Sequence, residues 1–344
     1  MGKTYRVGVA CMVHDHVWGE LKKWQALPNV QLVAAGDINA PLREKIQREF
    51  GVPRVYESWR EMLDKEELDI VQAASENATA ADIVEAAAAR GLHVVTEKPM
   101  SATLAQANRM VAAAAAAGVR LMVNWPTAWN PALVQMIRMI QEGVVGEPYY
   151  FKYRSAHNGP KEIGCSEYFW KWLYDEELNG AGALMDYCCY SADMCATLFG
   201  LPKQVTGIRG VLAKDYPIPD DNAIMLFQYD RVFGVAEASW TQRVGTAGPN
   251  PVCYGSEGWI GLVGGKLGNQ IVLQLVGKGE EVIQPEALPA GRRTGPEYFI
   301  SCLEAGTPIE GMCSPAVSRD AQEMLQAGLV SADEGYAVTL PLGG

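Results

Sequence analysis

The sequence predicts an α/β fold: a doubly wound parallel sheet in the N-terminal part, then an α+β part with a large open, mainly antiparallel sheet. Three observations carry this expectation. Short apolar runs alternate with helical stretches up to residue 125, as they do where crossover helices bury strands on both faces. From Val205 to Val282 strand-like runs follow one another with only turn signals between them, the habit of antiparallel strands. A chain of 344 residues also exceeds what one core commonly holds, so a division into 1–125 and 126–344 is expected.

Taken in order, the first strands are RVGVAC (6–11), VQLVAAGD (30–37), IVQAAS (70–75), LHVVTE (92–97) and RLMVNW (120–125). Helices are expected around 17–27, 40–50, 57–65, 78–90 and 103–117. The alanine run at 112–117 reads as plain helix, because alanine leads the helix scale. Beyond it, 131–142 and 180–199 read as helices, and a strand precedes His157. Strands follow in VTGIRGVLA, AIMLFQYD, VFGVAEASW, GWIGLVG and IVLQLVG, with Gly261–Gly268 read as a turn. A closing helix, Ser314–Ala332, precedes a short strand, Ala337–Leu340.

An apolar content of 49% and a charged content of 20% describe an ordinary soluble chain. The net charge of −11 argues against nucleic acid or an anionic membrane surface, and leaves a small anionic substrate open. Eight cysteines without a C-x-x-C pair read as reduced thiols rather than a disulfide framework. No signal-like segment follows Met1 and no run nears the roughly 18 apolar residues of a membrane span, so a cytoplasmic location is expected. No metal centre is expected: His14 and His16 stand two apart near Cys11, with no third ligand evident.

Two stretches concentrate chemistry. GLHVVTEKPMS (91–101) ends a strand in Glu97-Lys98-Pro99, and ligands of open α/β sheets bind beyond the carboxyl ends of strands. GAGALMDYCCYSADM (180–194) puts Asp186 and Tyr190 at i and i+4, on one helix face. Together with WNPA (129–132), DDNAIMLFQY (220–229) and SADEGYAVTLP (331–341), in order and at family spacing, they resemble the glucose-fructose oxidoreductase / inositol dehydrogenase / rhizopine-catabolism (Gfo/Idh/MocA) family over nearly the whole chain.

The resemblance implies an N-terminal Rossmann domain, a C-terminal open-sheet domain, a nicotinamide cofactor and a sugar or cyclitol substrate. It also implies a homo-dimer or homo-tetramer formed through the C-terminal sheet. By position, Lys98 matches the family's catalytic lysine and Asp186 its helix aspartate. Tyr190 stands where many members have histidine and the glucose-fructose oxidoreductase branch has tyrosine. The chemistry agrees: oxidising a carbinol removes a hydride from carbon and a proton from oxygen. A phenol near pKa 10 is a poor base at neutral pH, but an adjacent Lys98 ammonium favours the phenolate and can hold the developing oxyanion. Asp186 would orient the lysine.

For the cofactor, Asp37 at the end of the second strand accepts ribose hydroxyls and repels a 2′-phosphate, so NAD is expected over NADP, with Asn39 beside it. Ser75 and Asn77 match the family's Thr-Pro-Asn stretch, although Glu76 replaces the proline. Glu97 and Lys98 close the fifth strand. The G-x-G-x-x-G loop is missing, and Met12, Val13, His14, Asp15 and His16 stand in its place. A protonated His14 or His16 would replace the lost phosphate contact. Trp172 marks the family's Trp-Arg position, with Leu173 in place of the arginine. Asn124, Trp125 and His157 are candidate substrate contacts, and Trp125, Trp129, Trp170 and Trp172 offer faces for a sugar ring. His93 and Asp193 read as structural.

The activity expected is NAD-dependent oxidation or reduction of a secondary hydroxyl of a sugar, glycoside or cyclitol. Two alternatives use the same chain differently: glycoside cleavage by oxidation, elimination and reduction on a retained NAD, and a non-catalytic nucleotide- or sugar-sensing regulator.

Overall fold

The protein is seen in a computed structural model that describes residues 3–264 and 268–343. The middle of the glycine-rich turn, residues 265–267, lies outside the described residues.

The first half builds from apolar strands too short to be anything but buried. β1 (Tyr5–Ala10), β2 (Val30–Gly36), β4 (Ile70–Ala73), β5 (His93–Glu97) and β6 (Leu121–Asn124) match the expected runs, with β3 (Arg54–Tyr56) added at the edge. They form one six-stranded parallel sheet in the order β3-β2-β1-β4-β5-β6. Between them run α1 (Val17–Gln25), α2 (Ala40–Phe50), α3 (Trp59–Lys65), α4 (Ala80–Ala88) and α5 (Leu104–Ala117). α5 contains the alanine run and opens on a capping box, Thr103 with Gln106. β3 escapes a reading by pattern because three partly exposed residues carry no periodicity.

After α6 (Pro131–Gln141) and β7 (Pro148–Ala156) come α7 (Glu167–Leu173), α8 (Glu176–Asn179) and α9 (Ala183–Phe199). β8 (Gln204–Gly210), β9 (Asn222–Gln228), β10 (Phe233–Ser239), β11 (Val252–Gly255), β12 (Gly258–Val263), β13 (Gln270–Leu275) and β14 (Glu280–Ile283) follow. α10 (Gly295–Ala305), α11 (Pro315–Glu334) and β15 (Val338–Thr339) close the chain. The second sheet has nine strands in the order β14-β13-β12-β11-β7-β10-β9-β8-β15, with β7 and β10 parallel and the other pairs antiparallel.

One face of this sheet is covered by α9 and α11. Along β7 the alternation puts Phe151, Tyr153 and Ser155 on that inner face. The approach of α11 to β8 is close enough that a Cβ on Gly207 would lie 2.2 Å from the Gly328 carbonyl oxygen. The chain also returns to the first sheet. Phe299 of α10 meets Trp24 of α1 edge-on at 6.5 Å, and Trp125 Nε1 donates to Ser318 Oγ of α11 at 3.0 Å. These contacts tie α10 to α1 and the residue after β6 to α11. All eight cysteines are free thiols. No described helix is long and apolar enough to cross a membrane.

Candidate active site

Lys98, the residue after β5, points at α9. Its Nζ donates to Asp186 Oδ1 at 2.6 Å and to the Asp186 carbonyl at 3.2 Å, and lies 4.8 Å from the centre of the Tyr190 ring. Two features set α9 in place. The buried Asp220 carboxylate accepts the Gly182 and Leu184 N–H groups at 2.9 and 2.8 Å, fastening the start of the helix. A Cβ on Gly182 would meet the Asp220 carbonyl oxygen at 2.2 Å, so only glycine lets the two segments touch. Asp186 then falls in the first turn, where the helix dipole favours a negative charge.

The electrostatics correct one expectation. Burial alone would drive the proton off Lys98, but Asp186, then Tyr190 and Cys189, hold its pKa well above the ordinary value. Tyr190 moves the opposite way from the one expected. Burial pushes its phenol well up, and the Lys98 ammonium offsets this only in part. Tyr190 is therefore a protonated phenol at neutral pH, ready to give a proton rather than take one. Tyr153 and Trp125 meet its ring edge-on at 6.3 and 5.8 Å, and burial pushes Tyr153 up to about 12.

At the other end of the crevice, Asp37 is buried at the end of β2. Its carboxylate accepts Met12 N–H at 2.6 Å, Asn39 N–H at 2.7 Å and Asn39 Nδ2 at 2.8 Å. Arg43 donates to the Asp37 carbonyl at 2.7 Å. Cys11 takes φ 61°, the left-handed turn that a dinucleotide loop ordinarily gives to glycine.

The rest of that loop corrects the expectation for His14. His14 is enclosed, with its ring 4.4 Å from Phe169 and 5.8 Å from Trp172. Burial, then the His16 and Lys98 charges, holds its pKa well below the usual value. It is neutral at physiological pH and is not a cationic phosphate donor. His16 is half-exposed and pairs through Nδ1 with Glu97 Oε2 at 3.1 Å. The loop is pinned across the crevice by Asp15, whose carboxylate accepts Ser166 N–H at 2.7 Å and Ser166 O–H at 2.6 Å. Trp172 is buried and donates its indole N–H to the Val13 carbonyl at 3.4 Å, so it holds the loop rather than presenting a free donor.

Several other candidates turn inward. Ser75 O–H donates to the Glu76 carbonyl at 2.9 Å, and Asn77 Nδ2 donates to Asn179 Oδ1 at 2.8 Å. Asn124 donates to Glu97 Oε1 at 3.1 Å and accepts Trp129 Nε1 at 2.9 Å, a chain that fixes the Glu97 carboxylate. Asn124 and Trp125 are both buried, and the Trp125 ring packs on Tyr190 instead of offering a sugar a face. His157 lies 4.8 Å from the Tyr187 ring, which is itself 6.1 Å from Tyr190. His93 accepts Arg120 N–H at 3.0 Å at the far end of β5, away from Lys98. Asp193 is fully buried, and burial holds it neutral. Sequence reasoning missed Asp220, Tyr153 and the Glu97–His16 contact. The paired acids of DDNAIMLFQY were the signal for the first.

Two cavities flank this arrangement. One, of about 200 Å³, is lined by Tyr153, Arg154, Tyr187, Gln242 and Asn250, next to the rings around Tyr190. A larger, more apolar one, of about 390 Å³, lies by Trp129, Ile137 and Tyr298, and none of Lys98, Asp186 or Tyr190 lines it. The crevice fits a nicotinamide dinucleotide at Asp37. The Asp37 carboxylate keeps roughly one acceptor position of about four beyond its three N–H donors. The start of α1 is not such a point, because Val17 and Gly19 N–H already donate to the His14 and His16 carbonyls at 3.0 and 2.9 Å.

Comparison with known proteins agrees with the fold. Residues 7–125 match the family described as the oxidoreductase family with an NAD-binding Rossmann fold, and residues 133–261 match the GFO/IDH/MocA C-terminal domain. The chain belongs to the Gfo/Idh/MocA family. Among relatives, a D-apiose dehydrogenase of Paraburkholderia graminis is 34% identical over 138 residues, 40% of this chain and 37% of its own. A levoglucosan dehydrogenase of Pseudarthrobacter phenanthrenivorans is 26% identical over 227 residues, 65% of this chain and 55% of its own. The chain thus matches about a third to a half of the length of these Gfo/Idh/MocA relatives. An aldose-aldose oxidoreductase from Caulobacter crescentus, solved with glycerol, shares the fold with a TM-score of 0.82, 19% identity and coverage of 98% of this chain and 100% of that one.

Proposed function

We propose that this protein is an NAD-dependent oxidoreductase acting on a secondary hydroxyl of a sugar, glycoside or cyclitol. Residues 1–125 would hold the nucleotide, and 126–344 the substrate and the subunit contact. The observation that carries the reading is the Lys98 ammonium, clamped by Asp186 at 2.6 Å beneath the Tyr190 ring. That the named relatives are sugar dehydrogenases supports the substrate class.

NAD would be held through Asp37 and would supply the hydride acceptor or donor. The protein's own residues handle the oxygen. In reduction, Tyr190 gives its proton to the carbonyl oxygen as negative charge develops there, and Lys98 donates a hydrogen bond to the same oxygen. Asp186 keeps Lys98 protonated and aimed. In oxidation Tyr190 must first lose its proton. The polar cavity beside Tyr153 and Tyr187, with Arg154, Gln242 and Asn250 on its wall, suits a hydroxylated substrate.

The test couples cofactor and turnover. NAD(H) is titrated against the purified protein and a panel of aldoses, glycosides and cyclitols is assayed. Tyr190→Phe is expected to bind NAD normally and lose about 100-fold or more in kcat. Failure of NAD and NADP alike to bind would sink the proposal.

A further inference from the structure

The replaced glycine loop brings together three side chains that the hydride chemistry does not require. The ligand atoms of His14, His16 and Glu97 all lie within 4.8 Å of one another. We propose that these three residues form a binding site for a divalent transition metal of the zinc class. The inference goes beyond the oxidoreductase reading and does not depend on it.

The donor set is the one that borderline-soft divalent ions prefer: two imidazoles and one carboxylate, with a fourth position left for water or another oxygen ligand. Donors bound at about 2.1 Å in a tetrahedron stand about 3.4 Å apart. His16 Nδ1 and Glu97 Oε2, at 3.1 Å, are already near that spacing, and a metal would displace the His16 N–H that His14 Nδ1 now accepts at 3.4 Å. The fold puts a second layer behind each buried ligand, as metal sites do. Asn124 fixes the other Glu97 oxygen at 3.1 Å, and His14 hydrogen-bonds the Lys98 backbone. The backbone that carries the histidines is held at Ala74, which accepts His14 N–H at 3.1 Å, and through Asp15 to Ser166.

A second buried carboxylate stands beside Glu97. Glu20 lies one helical turn beyond His16, and burial, then the nearness of Glu97, raises its pKa. It is 6% exposed, and its Oε2 has no hydrogen-bond partner among the described residues. Lys23 answers one of these two carboxylates, and the nearby Lys98 is already spent on Asp186. A cation at the imidazoles would lie beside both carboxylates, of which Glu97 alone is a ligand.

The experiment uses the full-length protein, stripped with EDTA, with the metal alone as probe. Zn²⁺ is titrated calorimetrically, and Co²⁺ is followed through its visible ligand-field bands. The expected result is one saturable site, with Co²⁺ bands characteristic of four- or five-coordination. His16→Ala and Glu97→Gln should each weaken binding by at least about tenfold, while His157→Gln should leave it unchanged. Circular dichroism checks that each variant is folded, and NAD is titrated separately on the stripped protein. Absence of saturable binding would overturn the proposal, as would a site that survives both His16→Ala and Glu97→Gln. NAD binding that persists without metal would leave the oxidoreductase reading standing by itself.

Discussion

With only 2% of its side chain exposed, Lys98 keeps its charge because Asp186 lies 2.6 Å from its ammonium. Removing one member of such a buried pair strands the other, at a typical cost of about 3–5 kcal/mol, whereas replacing both by apolar groups is often neutral. Lys98→Met should therefore lower the melting temperature sharply, and Lys98→Met with Asp186→Leu should recover much of the loss while remaining inactive. Equal melting temperatures for the single variant and the parent would show that the pair is not under this tension. The same residues set a pH dependence. Because burial raises the Tyr190 pKa, the deprotonated form needed for oxidation grows about tenfold per pH unit through the alkaline range below that pKa. The kcat/KM for oxidation, which reports groups of the free enzyme, should still be climbing at pH 9, while that for reduction stays flat. An oxidation profile that levels off by pH 8 would assign the proton to another group.

At the scale of elements, the site stands on the start of α9, and that start stands on Asp220. Two backbone N–H groups end on its carboxylate, so Asp220→Ala removes an N-terminal anchor worth about 0.5–2 kcal/mol. Asp186 and Tyr190 lie on the first turns of the loosened helix. Urea unfolding should report that loss, and kcat should fall with it although Asp220 does not touch Lys98. An unchanged kcat would mean that α11 and β10 alone hold the helix in place. This anchor also shows where sequence reasoning stops. The pairing of Asp186 with Tyr190 was legible because it is local, four residues along one helix. The reach of Asp220 to Leu184 spans 36 residues, and that of His16 to Glu97 spans 81. No periodicity records such contacts. The strands of the parallel sheet were legible because burial on both faces writes continuous apolar runs. β14 was not, since three of its four residues are exposed and it opens on Glu280 and Glu281, and α10 hid between proline-rich loops. The neutral state of His14 and the high pKa of Tyr190 follow from burial by α7 and β7, which the local sequence does not express.

For the whole molecule, the decisive surface is the outer face of the nine-stranded sheet. Helices cover its inner face, and the alternation along each strand sends the remaining side chains outward. On β8 and β9 those are Ile208, Ile224 and Leu226, exposed at 62%, 44% and 39%. Register places Ile208 opposite Ile224, and Leu226 opposite Val235 of β10, so the apolar side chains form one continuous stripe. Beside it, Lys152 of β7 and Arg154 share Glu237, an ionic rim of the kind that borders subunit contacts. A stripe of this sort on a flat sheet is costly to leave in water and is self-complementary about a two-fold axis. The protein should therefore run as a homo-dimer or homo-tetramer by light scattering. Ile224→Lys with Leu226→Lys should convert it to a monomer, because like charges brought together on a two-fold interface repel in a setting that excludes water. Lys98, Asp186 and Tyr190 lie on the opposite face, against α9, and of the rim only Arg154 also borders the polar cavity, so the monomer should retain NAD binding. A parent protein that is monomeric at micromolar concentration would remove the sheet face from the assembly argument and leave the stripe without a role.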